Sequence, residues 1–307
     1  MATSRDSVLQ PLPVKAAATA VRTRLDRAKS DRPIGQIIAD KSQLNERQVS
    51  KILAHQRAKG SRFGESAIAL GYATPDDVLS ALAQQFDYPY ATAEQRKLTP
   101  ELVALNQPFS NQVEAIRAIR AWVMKRVFSA QHEVPKALAV VSPNSGDGKT
   151  FFAANLAVTL AQLGGRTLLV DADLRGPRQH LVFNLPNQHG LSDILSGRTE
   201  KRVVQQVPSL AGLFLLPVGT TPPNPSELVA RPAFGFLLRE LTAKFDHVVV
   251  DTSAGEYGTD ASIISAECGA ALLVARKHAS RVRALQELAG LLNRDTAIVA
   301  GVIVNEM

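Results

Sequence analysis

Two glycines, a lysine and a hydroxyl stand together in Ser142-Pro143-Asn144-Ser145-Gly146-Asp147-Gly148-Lys149-Thr150, between the apolar segment Leu138 to Val141 and a helical pattern from Phe151 to Leu163. A phosphate cradle requires that strand, loop and helix context. Gly146 and Gly148 would let backbone N–H groups approach phosphate oxygens, Lys149 would reach the β and γ oxygens, and the Thr150 hydroxyl would bind Mg²⁺. The literal pattern GxxxxGK(S/T) is broken, since its first glycine falls on Pro143. Taken alone, the run also reads as a glycine turn before a helix.

Two later segments decide between these readings. Thr167-Leu168-Leu169-Val170-Asp171-Ala172-Asp173 and His247-Val248-Val249-Val250-Asp251-Thr252 are short β-branched or leucine runs that reach aspartate, as buried parallel strands do. In a doubly wound sheet the carboxyl ends of neighbouring strands converge on one crevice, so Asp171, Asp173 and Asp251 are expected to face the Thr150 metal. Three such aspartates after the loop point to a site for Mg²⁺ and a nucleotide, with ATP and Mg²⁺ as its cofactors. The residues expected to bind them are Gly146, Asp147, Gly148, Lys149, Thr150 and Asn305.

The elements that position these residues fall into two parts. Residues 33–56 laid over 62–85 match at a constant offset of 29: Ile34-Gly35, Ile38, Leu44, Val49, Leu53 and Gln56 meet Phe63-Gly64, Ala67, Ala73, Val78, Leu82 and Gln85. Helical spacing of the apolar residues around a turn makes each copy a helix pair, and residues 31–90 a small all-α domain. Residues 91–108, with Pro100 and Pro108, read as a linker holding one short helix. From Phe109 onward the spacing predicts a helix over 112–128, strands near 137–141, 167–171, 213–217, 247–251, 270–275 and 298–304, and helices in most intervals. The expected fold is α/β, a P-loop doubly wound and mostly parallel sheet over 109–307, preceded by the all-α domain.

The chain has 307 residues and is 45% hydrophobic, enough to bury a large core beside a small one. Its net charge of +7 is uneven. Residues 1–30 carry six Lys or Arg against Asp6 and Asp26, a basic arm that reads as a solvated tail or as a contact for anionic lipid headgroups. No nucleic-acid partner is expected. The single cysteine, Cys268, excludes an intramolecular disulfide and fits a reducing compartment. No stretch approaches about 18 uninterrupted apolar residues and no signal-peptide core is present, so the expected location is cytoplasmic, with any membrane role reached through a partner.

At residues 109–307 the sequence resembles the bacterial tyrosine kinases of the P-loop class, whose nucleotide sites are similar to those of the septum-site and plasmid-partition ATPases. The likeness rests on the 142–150 loop, on Val170-Asp171-Ala172-Asp173-Leu174-Arg175, on Gly190-Leu191-Ser192-Asp193-Ile194-Leu195, on Pro222-Pro223-Asn224-Pro225-Ser226-Glu227-Leu228, on the Asp251 strand and on Gly301-Val302-Ile303-Val304-Asn305. The layout, with Phe86-Asp87-Tyr88-Pro89-Tyr90, most resembles the EpsG-type chain-length-determinant tyrosine kinases of exopolysaccharide loci. The resemblance implies a membrane-embedded polysaccharide co-polymerase as partner and a place at the inner membrane through it. It also implies a homo-oligomeric ring, for which Glu114, Arg117 and Arg120 form the ExxRxxR subunit-contact signature.

For catalysis the resemblance implies Lys149 on the phosphates, Thr150 on Mg²⁺, Asp251 at the metal, Asp171 as acceptor of the tyrosine proton and as a further metal contact, and Asp173 in support. Asn305 resembles the adenine-contacting position of related ATPases. Asn144 stands where the partition-type ATPases carry a second lysine, which favours the kinase branch. Asp251-Thr252-Ser253-Ala254 lacks the Pro-Pro pair of many relatives. The sequence ends at Met307 without the tyrosine cluster many members carry, and its tyrosines are Tyr72, Tyr88, Tyr90 and Tyr257, so the usual tail autophosphorylation is not expected. The helical repeat is similar to the N-terminal domain of type II secretion ATPases, some of which bind cyclic di-GMP. The second copy keeps Arg62-Phe63-Gly64 and Gly71, whereas the first has Pro33-Ile34-Gly35 and Ser42; the lost arginine favours a plain interaction module over cyclic di-GMP binding. Three functions stay open: a protein-tyrosine kinase governing polymer length or export, a nucleotide-switched regulatory ATPase without kinase activity, and an adaptor.

Overall fold

A computed structural model describes residues 32–86, 99–129, 137–198, 203–208, 210–294 and 297–306. The basic arm at 1–30, residues 91–98 of the stretch read as linker, Tyr88 and Tyr90 lie outside the described residues. The chain divides into two units, one helical and one built on a sheet.

In the helical unit, α1 (Ile34–Lys41) and α2 (Glu46–Lys59) are followed by α3 (Phe63–Ala69) and α4 (Pro75–Gln85). The 29-residue repeat extends to the caps. Asn45 accepts the Gln48 N–H at 3.0 Å while Gln48 accepts the Asn45 N–H at 2.9 Å, and Thr74 with Asp77 makes the same exchange at 3.1 and 2.8 Å. Each reciprocal pair satisfies two donors that a helix start leaves without partners. Ile37, Ile38 and Ala81 form the interior, with Phe63 and Val78 against them. Gly64 has a packing reason to be glycine, since a Cβ there would lie 2.7 Å from Val78 Cγ1.

The second unit opens with α5 (Val103–Asn106) and α6 (Asn111–Arg126) and continues through β1 (Leu138–Val141), α7 (Lys149–Ala161) and β2 (Thr167–Ala172). Short helices α8 (Gln179–Val182) and α9 (Leu191–Leu195) lead to β3 (Gln205–Gln206) and β4 (Leu213–Leu216). Then come α10 (Pro225–Val229), α11 (Pro232–Lys244), β5 (His247–Thr252), α12 (Asp260–Cys268), β6 (Ala270–Arg276), α13 (Val282–Arg294) and β7 (Ile298–Asn305). The strand order is β3-β4-β2-β5-β1-β6-β7, parallel except for the antiparallel β3–β4 pair. The sequence reading missed β3, because two polar glutamines carry no strand period.

Strands β1, β2 and β5 are buried along their whole length, as their unbroken aliphatic runs require when helices cover both faces. α7 is buried almost all round, so it crosses the interior as a core helix. The linker assignment is corrected for residues 99–108. Leu102, Ala104 and Leu105 are buried in the main core, and the Asn155 side chain of α7 accepts the Ala104 N–H and donates to the Glu101 carbonyl, each at 2.9 Å. Polar composition suggested a tether, yet three small aliphatic residues within it are enough to dock it.

Candidate active site

β1 lies between β5 and β6 while the chain passes from β1 to β2 across β5, which makes the end of β1 the point where the winding reverses. A crevice at the carboxyl ends of the strands forms at such a point. The 142–150 loop leaves β1 there, and Asp171 of β2 is the direct cross-strand neighbour of Asp251 of β5.

The loop is held by its own side chains. Asp147 is buried; its Oδ2 accepts the Asn144 N–H at 3.0 Å and its Oδ1 accepts the Ser280 hydroxyl at 2.8 Å. Asn144, at the position where partition ATPases have a lysine, is thus folded back into the loop. Gly148 has φ +100, a conformation L side chains rarely adopt, and a Cβ there would run into Asn305 Nδ2. That nitrogen donates to the Asp147 carbonyl at 3.1 Å, so Asn305 braces the loop from the end of β7. Lys149, buried, and Thr150 form the start of α7, where helix amides and the helix dipole favour an anion.

Asp171 and Asp251 are both fully buried but differently engaged. Asp171 Oδ1 accepts the Asp173 N–H at 3.2 Å, and its Oδ2 accepts the N–H groups of Arg178 and Gln179 at 3.1 and 2.9 Å. It organises the loop between β2 and α8 and keeps both oxygens turned into it. Asp173 closes a tighter turn in the same loop, accepting the Gly176 N–H at 3.0 Å. Asp251 Oδ2 accepts from Gln179 Nε2 at 2.8 Å, and among the described residues Asp251 Oδ1 is buried without a hydrogen-bond partner.

Burial pushes the Asp171 carboxyl well above the usual carboxylate range, and the adjacent Asp251 charge pushes it further. Burial also raises Asp251, to about 6, while the Gln179 amide, the Lys149 ammonium and the Thr150 hydroxyl pull it back. A hydroxyl, an ammonium and a carboxylate with an open buried oxygen suit a hard divalent cation beside phosphate oxygens. Mg²⁺ therefore fits Thr150 and Asp251. Asp171 accepts three backbone amides, a single one at 3.2 Å on Oδ1, so that oxygen keeps a lone pair for a further contact.

Gln179 was missed in the sequence. It is buried and donates to both Asp251 and the Thr150 carbonyl, at 2.8 and 3.1 Å, which ties the metal-side carboxylate to the first turn of α7. Eight residues after Asp171 and among unpatterned polar neighbours, it carries no spacing signal. Arg175 pairs with the buried Asp260 at 2.7 Å and donates to Ser226 at 3.0 Å, which fastens the Arg175 and Ser226 motifs to α12. On α6, Arg120 Nη1 donates to the Thr159 carbonyl of α7 at 2.7 Å and Arg117 pairs with Glu114. The three charges therefore do not stand as one open row: Arg120 is anchored within its own chain.

Comparison with known proteins gives the same outline. Residues 138–307 match the CobQ/CobB/MinD/ParA nucleotide binding domain. The putative tyrosine-protein kinase CapB of Staphylococcus aureus is 34% identical over 215 residues, covering 70% of this chain and 93% of that protein. Tyrosine-protein kinase wzc of Salmonella typhi is 34% identical over 207 residues, and this match spans only 28% of that longer protein. Among solved structures, the kinase domain of the Escherichia coli tyrosine kinase ETK superposes with a TM-score of 0.62 at 32% identity, over 67% of this chain and 80% of that one. The chimerical protein CapA2B2 gives 0.62 at 32% identity over 74% and 98%.

Proposed function

Because the chain belongs to the bacterial tyrosine-protein kinases built on the CobQ/CobB/MinD/ParA nucleotide binding domain, we propose that it transfers the γ-phosphate of ATP to protein tyrosine and thereby regulates exopolysaccharide chain length or export. The observation that carries the catalytic part is the convergence of Lys149, Thr150, Asp171 and Asp251 at one strand edge, with Gln179 closing it.

In this reading the loop amides and the Lys149 ammonium hold the phosphates, and the Thr150 hydroxyl with Asp251 would hold Mg²⁺. The bound ion supplies neutralisation of phosphate charge. Asp171 takes the tyrosine proton. The three amides on it keep the carboxylate in place at the end of β2 and oppose the upward push of burial on its proton affinity, and Oδ1, with one amide, has a lone pair to take the proton. Phosphoryl transfer is then mostly positioning and electrostatics, the two things a buried, amide-held cluster provides.

A membrane-embedded polysaccharide co-polymerase is the proposed partner and places the chain at the inner face of the membrane. No described helix is long and apolar enough to cross a membrane, which is compatible with a peripheral arrangement. The helical unit is proposed as an interaction module, and α6 as part of a subunit contact in a ring.

The test is transfer from γ-labelled ATP with Mg²⁺, comparing wild type with Lys149→Met, with and without the cytoplasmic tail of the membrane partner. Phosphotyrosine that requires Lys149 is the expected result. Lys149-dependent free phosphate alone, even with the tail present, would make the protein an ATPase switch.

A further inference from the structure

The Ser145 N–H of the phosphate loop donates to Glu256 Oε1 at 2.6 Å. Glu256 sits on a single 3₁₀ turn, Gly255–Tyr257, three residues beyond the end of β5. Two more bonds seat this turn against the base of the loop: the Gly255 N–H donates to the Ser142 carbonyl at 2.8 Å and the Glu256 N–H to the Pro143 carbonyl at 2.9 Å. The strand that presents Asp251 to the crevice therefore also delivers a second carboxylate to the loop. Loop amides of this kind are donors aimed at anions, and a carboxylate on one of them makes a charge-assisted bond in the place of a phosphate oxygen.

The position along the loop says which phosphate competes. The amides at the start of α7 receive the inner phosphates, and the Lys149 ammonium reaches outward to the β and γ oxygens. Ser145 lies four residues earlier, on the part of the loop bonded to the β5 turn, and is left for an oxygen of the terminal phosphate. Glu256 and Tyr257 are exposed, and Gly258 leaves the turn at φ +128, so the side chain can withdraw without disturbing the core.

We propose that Glu256 discriminates between nucleotides by their terminal phosphate: its carboxylate occupies the Ser145 amide in the resting site, a γ-phosphate must displace it, and a diphosphate need not. The proposal rests on the nucleotide reading of the loop and is independent of where the phosphate finally goes.

Glu256→Gln keeps an acceptor for the Ser145 amide and removes the charge, whereas Glu256→Ala removes both. Binding of ADP and of a non-hydrolysable ATP analogue with Mg²⁺ to the full chain, by calorimetry, separates the possibilities. For Glu256→Gln the analogue should bind roughly three- to tenfold tighter while ADP changes by less than about twofold, the size of one screened unit charge at an exposed mouth. That difference should shrink as salt is raised. Gln leaving the ratio of the two affinities unchanged, or Ala weakening both nucleotides alike while Gln alters neither, would make the contact a loop brace and overturn the proposal. No binding of either nucleotide to wild type or variants would overturn it together with the nucleotide site.

Discussion

Among the residues of the site, Gln179 carries a burden its side chain does not advertise. Its amide donates to Asp251 and to the Thr150 carbonyl from a fully buried position, so it fixes the angle at which the Asp251 carboxylate meets the start of α7. Groups that orient a metal-holding carboxylate typically matter by about 10- to 100-fold in metal affinity. Gln179→Leu, of similar size, should therefore raise the Mg²⁺ concentration needed for turnover by about that factor while the circular dichroism spectrum stays unchanged; a normal Mg²⁺ titration would show that Gln179 only fills space.

At the level of elements, two polar side chains hold pieces that the sheet alone would not. Asn155, inside α7, is fully buried, accepts the Ala104 N–H and donates to the Glu101 and Phe151 carbonyls. Replacing it with leucine leaves the buried Ala104 N–H without that partner, and denaturant unfolding should show a loss of about 1–3 kcal/mol. Asp260 at the start of α12 behaves differently because its partner is charged. Burial pushes its carboxyl up, but the Arg175 guanidinium and the Ser226 hydroxyl outweigh burial and hold it below its usual 3.8. A depressed folded value means the stabilisation is present above pH 3.8 and is lost as the pH falls below it towards the folded value. Urea midpoints of wild type and Asp260→Asn should be well separated near neutrality and converge below about pH 4.

For the molecule as a whole, the open question is assembly, and α6 separates its own two arginines. Arg120 reaches across to the Thr159 carbonyl of α7, so Arg120→Ala should lower stability as well as any association. Arg117 pairs with the more exposed Glu114 and is itself largely covered, so its replacement is read together with a denaturant-unfolding control. Light scattering should give a lower mass for Arg117→Ala than for wild type if a neighbouring subunit reads that pair; equal masses would remove α6 from the interface. The two units of the chain differ in what stabilises them. The helical unit gathers a few aliphatic side chains and reciprocal caps, whereas the sheet unit has buried strands and a buried crossing helix.

The sequence by itself determined the parallel sheet, the loop and the two strand-end aspartates. Unbroken aliphatic runs have no stable place except between helices, and a glycine-rich turn followed by Lys-Thr has a local geometry that needs no distant partner. It also determined the helical repeat, because a 3.6-residue period and the Asn45 and Thr74 caps are local signals. What only the tertiary structure decided are contacts between residues far apart in the chain: Gln179 with Asp251, Asn305 with Asp147, Arg120 with Thr159, and Glu256 with Ser145. None has a period or a fixed spacing. Each exists because the sheet brings the ends of β1, β2, β5 and β7 and the length of α7 within hydrogen-bond reach, and that proximity is a property of the strand order, which no local pattern encodes.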